Sequence, residues 1–275
     1  MTQALIEPGR LPTRAMTDAE TFLKKQTFKV EQASVRKLQA LYRDAYRDLA
    51  LALSASRTRA DAEAQVAERL ARLRRDILLI VGSAALAAWL GSYYGKLWLL
   101  DMTTRADLPV SIRVGTMPPD DLLRAQVNIE VDALTVDVRR LLIAGVATSL
   151  LQRLRRVLLK GNFNRVQVLA RTGVQSAANT GALTALQANA AIVVGYQWLT
   201  AHDERVCPIC APKDGKRYPL NALERPPIHP QCRCSIVPIL ADGVQVDADA
   251  RLREPFARWL LPMGLSLLVD AFLNP

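Results

Sequence analysis

Apolar residues recur every three or four positions over most of the first two hundred residues of the chain. This spacing places them on one face of an α-helix, so it predicts a mainly α protein built as a bundle of long helices. The helical pattern begins at Thr17, which Glu20 follows at the spacing of a capping box. Residues 1–16 contain Pro8 and Pro12 and predict an N-terminal arm.

The predicted long-helix region, residues 17–102, contains one apolar segment, residues 77–95, that carries no charge. Its length and the basic run before it meet the minimum for a membrane span. Gly82, Gly91 and two tyrosines dilute its hydrophobicity, and a helix buried by its neighbours in a bundle has the same composition. We therefore interpret it as a buried or partner-facing helix, with a membrane span as the alternative.

The helical pattern is interrupted over residues 103–121, which contain three prolines and a glycine and predict a linker. The pattern then returns, although "VNIEVDALTVDV" partly alternates as a strand would. The run "RRLLIAGVATSLLQRLRRVLLK" predicts a clearer helix, and "GNFN" at residues 161–164 predicts its end. A further helix is predicted over about residues 165–191, where Ala and Thr are frequent.

After Gly195 prolines become frequent and the helical period is lost. The stretch "KDGKRY" contains Asp214 and Gly215, which suit a tight turn with a positive backbone φ, and "CSIVPIL" has the composition of a short strand. These features predict a small irregular α+β module over residues 198–240, attached to the helix bundle near its C-terminal end.

All four cysteines and both histidines of the chain lie between positions 202 and 234. Cys207 and Cys210 form one pair, and His229 and Cys232 form a second pair at the same spacing; together they satisfy tetrahedral zinc. Cys234 is a spare donor that could replace His229 or Cys232. Zinc would substitute for a hydrophobic core that so short a segment cannot build, and disulfides between the two loops are the alternative. With either zinc or disulfides, the sequence predicts a structural cluster that cross-links the module.

The chain carries a net charge of +10, with its basic excess concentrated between Val138 and His202. That segment has eight basic residues and no Asp or Glu, which indicates either an acidic partner, such as nucleic acid or anionic lipid, or a solvated arginine-rich helix surface. The candidate nucleic-acid contacts are Arg139, Arg140, Arg153, Arg156 and Lys160.

The order of these motifs resembles the phage head-morphogenesis family typified by phage Mu protein F, which comprises minor capsid proteins of tailed bacteriophages. The resemblance covers about residues 140–240 and departs at Gly173, where the family has a glutamate. The positions that carry it are Arg171 and Thr172, Trp198, Asp203, Cys207 to Cys210, Gly215, and the run from Pro226 to Cys234.

The resemblance implies a Mu F-like domain over residues 122–240 and a tail over residues 241–275. It implies a non-enzymatic minor capsid protein without a small-molecule substrate, bound to portal and capsid proteins. Its expected location is the capsid interior or the portal vertex of the virion. The N-terminus lacks a secretory pattern, which agrees with assembly in the bacterial host cytoplasm. The basic segment would then contact packaged double-stranded DNA.

Two further functions remain alternatives at this stage: a nucleic-acid-binding module and a membrane-active phage ejection protein. Three residues of the module are assigned structural roles. Trp198 is predicted to be a core anchor, Asp203 a hydrogen-bond acceptor near the first cysteine turn, and Gly215 the turn residue of the hairpin.

Overall fold

The computed structural model describes residues 9–104, 120–143 and 147–246. Within these ranges the chain is mainly helical, with a small antiparallel sheet near the C-terminal end, so the predicted fold class is confirmed. The helices are α1 (Arg14–Ala55), α2 (Arg59–Thr103), α3 (Asp120–Ile143), α4 (Ala147–Arg156) and α5 (Phe163–Ala188), with a π-helical turn at Val157–Asn162. The strands are β1 (Gly9–Arg10), β2 (Val193–Leu199), β3 (Arg217–Pro219) and β4 (Ser235–Ala241).

The chain divides into two compact units that are discontinuous in sequence. The first unit contains Met1–Val30, Ala85–Pro118 and Val174–Pro275, and the second contains Glu31–Ala84 and Pro119–Gly173. The predicted linker, residues 103–121, begins at the end of α2 and extends to the start of α3; residues 105–119 lie outside the described residues. Residues 247–275 of the predicted tail also lie outside them.

The second unit has a core of apolar stripes from α1, α2, α3, α4 and α5. In α3 the stripe recurs every three or four residues, so this segment is a helix despite its partly alternating sequence. The alternation fails to produce a strand because the helical stripe can be buried against neighbouring helices. The α3 residues in this core are Val127, Val131, Leu134 and Val138.

The predicted helix end at residues 161–164 is wrong, because α4 continues through the π-helical turn directly into α5. Asn162, which lies within that predicted end, is fully buried. Its side-chain amide donates to the backbone oxygen of Glu130 at 2.7 Å, and its side-chain oxygen accepts from the Tyr42 hydroxyl. Long-range partners therefore explain an asparagine inside continuous helix.

The sheet of the first unit has the strand order β1-β4-β2-β3, and all its pairings are antiparallel. The register pairs Trp198 of β2 with Ile236 of β4. The strand predicted from "CSIVPIL" is confirmed as β4. Strand β1 pairs with the end of β4, so part of the segment predicted as an N-terminal arm belongs to this sheet.

The first helix begins three residues earlier than its predicted start. The Oγ1 atom of Thr13 accepts a hydrogen bond from the backbone N–H of Met16 at 3.3 Å, so Thr13 provides the N-terminal cap. The predicted cap at Thr17 is wrong: Thr17 lies inside α1, and its hydroxyl donates to the backbone oxygen of Thr13. Glu20 instead forms an ion pair with Lys96.

The apolar segment, residues 77–95, lies inside α2. Among the described residues, one helix, α2, is long and apolar enough to cross a membrane, judged by length and composition alone. However, 56% of its most apolar 18-residue stretch is buried within the protein. Residues 91–100 are all buried, and they include the charged Lys96. This burial favours the interpretation of a core helix.

Candidate metal centre

Two short turns present the sulfur and imidazole donors. In the loop after β2, the backbone N–H of Cys210 donates to the oxygen of Cys207 at 3.1 Å. In the loop before β4, the N–H of Cys232 donates to the oxygen of His229 at 3.2 Å. Each pair, with two residues between its members, thus closes one turn, which directs both of its side chains to the same side.

The donor atoms of the two turns lie close together. Nε2 of His229 lies 3.1 Å from Sγ of Cys207 and 3.1 Å from Sγ of Cys210. The Sγ atoms of Cys210 and Cys232 are 3.8 Å apart. Two sulfurs bound tetrahedrally to zinc, with bonds of about 2.3 Å, lie about 3.8 Å apart. The spacing of these side chains therefore suits a metal ion.

The donors form two groups that share Cys210. One group is Cys207, Cys210 and His229, the other is Cys210, Cys232 and Cys234, and within each group the donor atoms lie within 4.8 Å of one another. The predicted set of four is thus divided, because Cys232 groups with Cys234. All four cysteines are free thiols, so no disulfide occupies this cluster.

Local hydrogen bonds and burial give the thiols different proton affinities. Hydrogen bonding from Cys234 lowers the pKa of Cys232 to about 5, against the effect of burial. Burial raises the pKa of Cys210 to about 12. Hydrogen bonding to Cys232, together with burial, raises the pKa of Cys234. The cluster therefore contains a thiol disposed to ionise, and a thiolate is the form that binds a metal.

The backbone selects the tautomer of His229. Its Nδ1 lies 2.8 Å from the carbonyl oxygen of Pro230, which can only accept, so Nδ1 carries the proton. This bond is the main cause that raises the pKa of His229. In the neutral ring, Nε2 then presents its lone pair to the sulfurs, which is the arrangement of a metal-binding imidazole.

Trp198 packs directly against the cluster. Its side chain is fully buried and forms one apolar group with Cys210, Cys232 and Cys234. The Tyr218 ring lies 5.8 Å from its ring, and Nζ of Lys213 lies 5.7 Å above it. The indole therefore provides an apolar wall for the cluster.

Asp203 connects the two loops through an ion pair. Its carboxylate accepts from both terminal nitrogens of Arg233, at 2.5 and 2.8 Å, and from the backbone N–H of Arg205 at 3.1 Å. Hydrogen bonding from Arg233 lowers the pKa of Asp203. The sequence did not predict this role for Arg233, although its position between Cys232 and Cys234 places it close to the donor cluster.

The hairpin turn contains the predicted positive backbone angle. Gly215 has a φ of 73°, and the N–H of Lys216 donates to the oxygen of Lys213 at 3.0 Å across the turn. Asp214 accepts from the backbone and hydroxyl of Thr200 and from Nε2 of His202 at 2.9 Å. His202 is therefore paired with Asp214 and does not belong to the donor cluster.

The basic residues of the acid-free segment fall into two sets in the second unit. Arg165 and Arg171 form ion pairs with Glu130, at 2.7 Å, and with Glu31, at 3.2 Å. Arg140 lies 3.7 Å from Asp137 at the surface. Arg171 thus has a carboxylate partner in α1, even though Gly173 stands where the family has a glutamate. The exposed set without an ion pair among the described residues is Arg139, Arg153, Arg155, Arg156 and Lys160.

Comparison with known families identifies part of the chain. Residues 136–237 match the family model of Phage Mu protein F like proteins, which confirms the resemblance seen in the sequence. The matched segment contains every donor of the cluster. The family suggests a phage head-morphogenesis protein, fits a location in the virion or capsid, and suggests interaction with other capsid components. No curated protein and no solved structure matches the chain.

Proposed function

We propose that this chain is a non-enzymatic minor protein of a tailed-phage head that binds at the portal vertex during capsid assembly. The observation that carries this proposal is the family match over residues 136–237, which includes the complete Cys/His cluster. Extended helices such as α1 and α2 offer long surfaces for contact with a large oligomer.

The cluster serves the protein as a structural zinc site. Three thiols and one imidazole are the donors that zinc prefers, and Cys207, Cys210, His229 and Cys232, with Cys234 as the alternate, would hold the ion. Bound zinc would cross-link the two loops of a module that has only short strands. The residues Cys210, Cys232 and Cys234 are only 2–3% exposed, which leaves little access for a substrate.

Quantitative mass spectrometry of purified virions and procapsids tests the assignment to the head. We expect the chain at low copy number in at least one of these particles, relative to the major capsid protein. Abundant host proteins measured in the same samples control for contamination. Absence from both particles, at a sensitivity that detects other minor proteins, contradicts the proposal.

A second candidate function is contact with packaged double-stranded DNA. Arg153, Arg156 and Lys160 are exposed, recur at three- and four-residue intervals, and have no ion pair among the described residues. Positive side chains in such a row neutralise phosphates without reading bases. This surface lies in the second unit, whereas the donor cluster lies in the first.

Salt-dependent binding of the full chain to double-stranded DNA tests this second function. Replacing Arg153, Arg156 and Lys160 by Ala should reduce the slope of log affinity against log salt by about three units. The matched control replaces Arg47, Arg59 and Arg72, three exposed arginines that each pair with a carboxylate. Equal losses in both variants, or no binding by the wild type, would remove DNA contact as a function.

A further inference from the structure

Helix α3 carries a second apolar stripe that the second unit does not bury. Ile129, Val136 and Ile143 are 65%, 47% and 62% exposed. They recur every seven residues, which is almost two helical turns, so they lie in line along one side of the helix. This stripe is separate from the buried α3 residues described above, and it has the heptad period of paired helices, with one apolar residue per heptad.

Opposite charges flank the stripe symmetrically. Asp132 lies four residues before Val136 and Arg140 lies four residues after it. Oδ1 of Asp132 accepts from Arg74, while its Oδ2 has no partner among the described residues. The Arg140 side chain is 75% exposed and lies 3.7 Å from Asp137. Both charged groups are therefore placed to meet a second surface beside the stripe.

We propose that α3 is a self-association surface that packs antiparallel against α3 of a second copy of this chain, with Val136 on the two-fold axis. In this arrangement Ile129 of one copy lies level with Ile143 of the other. Asp132 of each copy lies level with Arg140 of the other, and both contacts occur twice because the interface is isologous. The proposal is independent of the function proposed above.

The charge pattern favours a second copy of this chain as the partner, and it favours an antiparallel orientation of the two α3 helices. A parallel pairing in the same register would set Asp132 beside Asp132 and Arg140 beside Arg140, which is repulsive. In an antiparallel pairing, each apolar residue of the stripe lies level with an apolar residue, and Asp132 lies level with Arg140. The contact involves one face of a 24-residue helix, so we expect a weak, concentration-dependent dimer at the small end of interface sizes.

Sedimentation equilibrium of the full chain over a range of concentrations is the first test. The wild type should show a monomer–dimer equilibrium, and Val136→Glu should raise the dissociation constant at least about tenfold, because two carboxylates would meet at the axis. Leu51→Glu is the matched control, since Leu51 is also an exposed apolar helix residue of the second unit, at 72%. A monomeric wild type, a mass other than two copies, or an equal effect of both substitutions overturns the proposal.

Charge reversal tests the orientation. Asp132→Arg alone and Arg140→Asp alone should each weaken self-association, since each places like charges level with one another. An equimolar mixture of the two variants should form mixed dimers, because every level pair then joins opposite charges. Circular dichroism checks that both variants fold. Mixed dimers no more abundant than the homodimers of either variant overturn the antiparallel arrangement.

Discussion

Lys96 and Glu20 form an ion pair that is almost entirely removed from solvent in the first unit. Their side chains are 1% and 5% exposed, and Nζ of Lys96 also donates to the backbone oxygen of Ile236 at 2.6 Å. Burial lowers the pKa of Lys96, while the Glu20 charge opposes that effect. The Lys96 ammonium thus joins α1, α2 and β4. Its removal would leave the Glu20 carboxylate and the Ile236 oxygen buried without this donor.

Replacing Lys96 by Met should lower the free energy of unfolding by about 3–5 kcal/mol, because Glu20 would be left as an unpaired buried charge. Urea unfolding followed by tryptophan fluorescence measures this, since Trp89, Trp98 and Trp198 all lie in the first unit. The double variant Lys96→Met with Glu20→Leu should recover most of the loss. Wild-type stability in the single variant would contradict the assigned role of the pair.

Arg233 influences the donor cluster through its position. It lies between Cys232 and Cys234 and is held by two hydrogen bonds to Asp203. Arg233→Ala should weaken zinc affinity by about tenfold, because the orientation of both neighbouring thiols would be less restricted. A competition titration against a chromophoric chelator measures the affinity. Arg217→Ala, at an exposed arginine of β3, is the control and should leave the affinity unchanged.

Among these residues, the donors of the cluster were predictable from the sequence, whereas the two ion pairs were not. Spacing alone indicates Cys207 with Cys210, because both lie within one turn of chain. The pairs Asp203–Arg233 and Glu20–Lys96 join residues 30 and 76 positions apart. Such partners are determined by the packing of whole elements, which local sequence patterns do not contain.

Two helices of the first unit approach closely at a glycine. A Cβ atom at Gly181 of α5 would lie 2.2 Å from the backbone oxygen of Trp89 in α2. Backbone cannot yield as a flexible side chain can, so Gly181→Ala should destabilise the protein by more than about 2 kcal/mol. Thermal unfolding followed by circular dichroism is the measurement.

Gly82 provides the matched control for this prediction. It also lies inside a helix, and a Cβ atom there would meet no atom within 4 Å. Gly82→Ala should therefore stabilise the protein by about 0.5–1 kcal/mol through higher helix propensity. If both substitutions shifted the unfolding temperature in the same direction, close helix packing at Gly181 would not be the cause.

The periodicity of apolar residues predicted the helices, but the sequence predicted two helix ends wrongly. The capping pattern at Thr17 is offset because Thr13 and the pairing of β1 position the start of α1. The pattern at residues 161–164 does not end a helix because Asn162 finds partners in α1 and α3. Tertiary hydrogen bonds outweigh local signals at both places.

At the scale of the whole molecule, the family match and the compact units divide the chain differently. The matched segment, residues 136–237, contributes to both units, since the boundary between them falls after Gly173. Periodicity locates helices but not which portion of a long helix packs in which unit. The sequence therefore predicted consecutive domains, whereas α1, α2 and α5 each contribute residues to both units.

Metal analysis of the full chain, purified without chelator, tests the structural role of the cluster most directly. We expect about one zinc ion per chain, and a lower unfolding temperature after chelation that zinc restores. Cys210→Ser should lose zinc more completely than Cys234→Ser, because Cys210 belongs to both donor groups. Metal-free protein with an unchanged unfolding temperature, or Cys210→Ser protein that keeps its zinc, would contradict the claim that bound zinc cross-links the module.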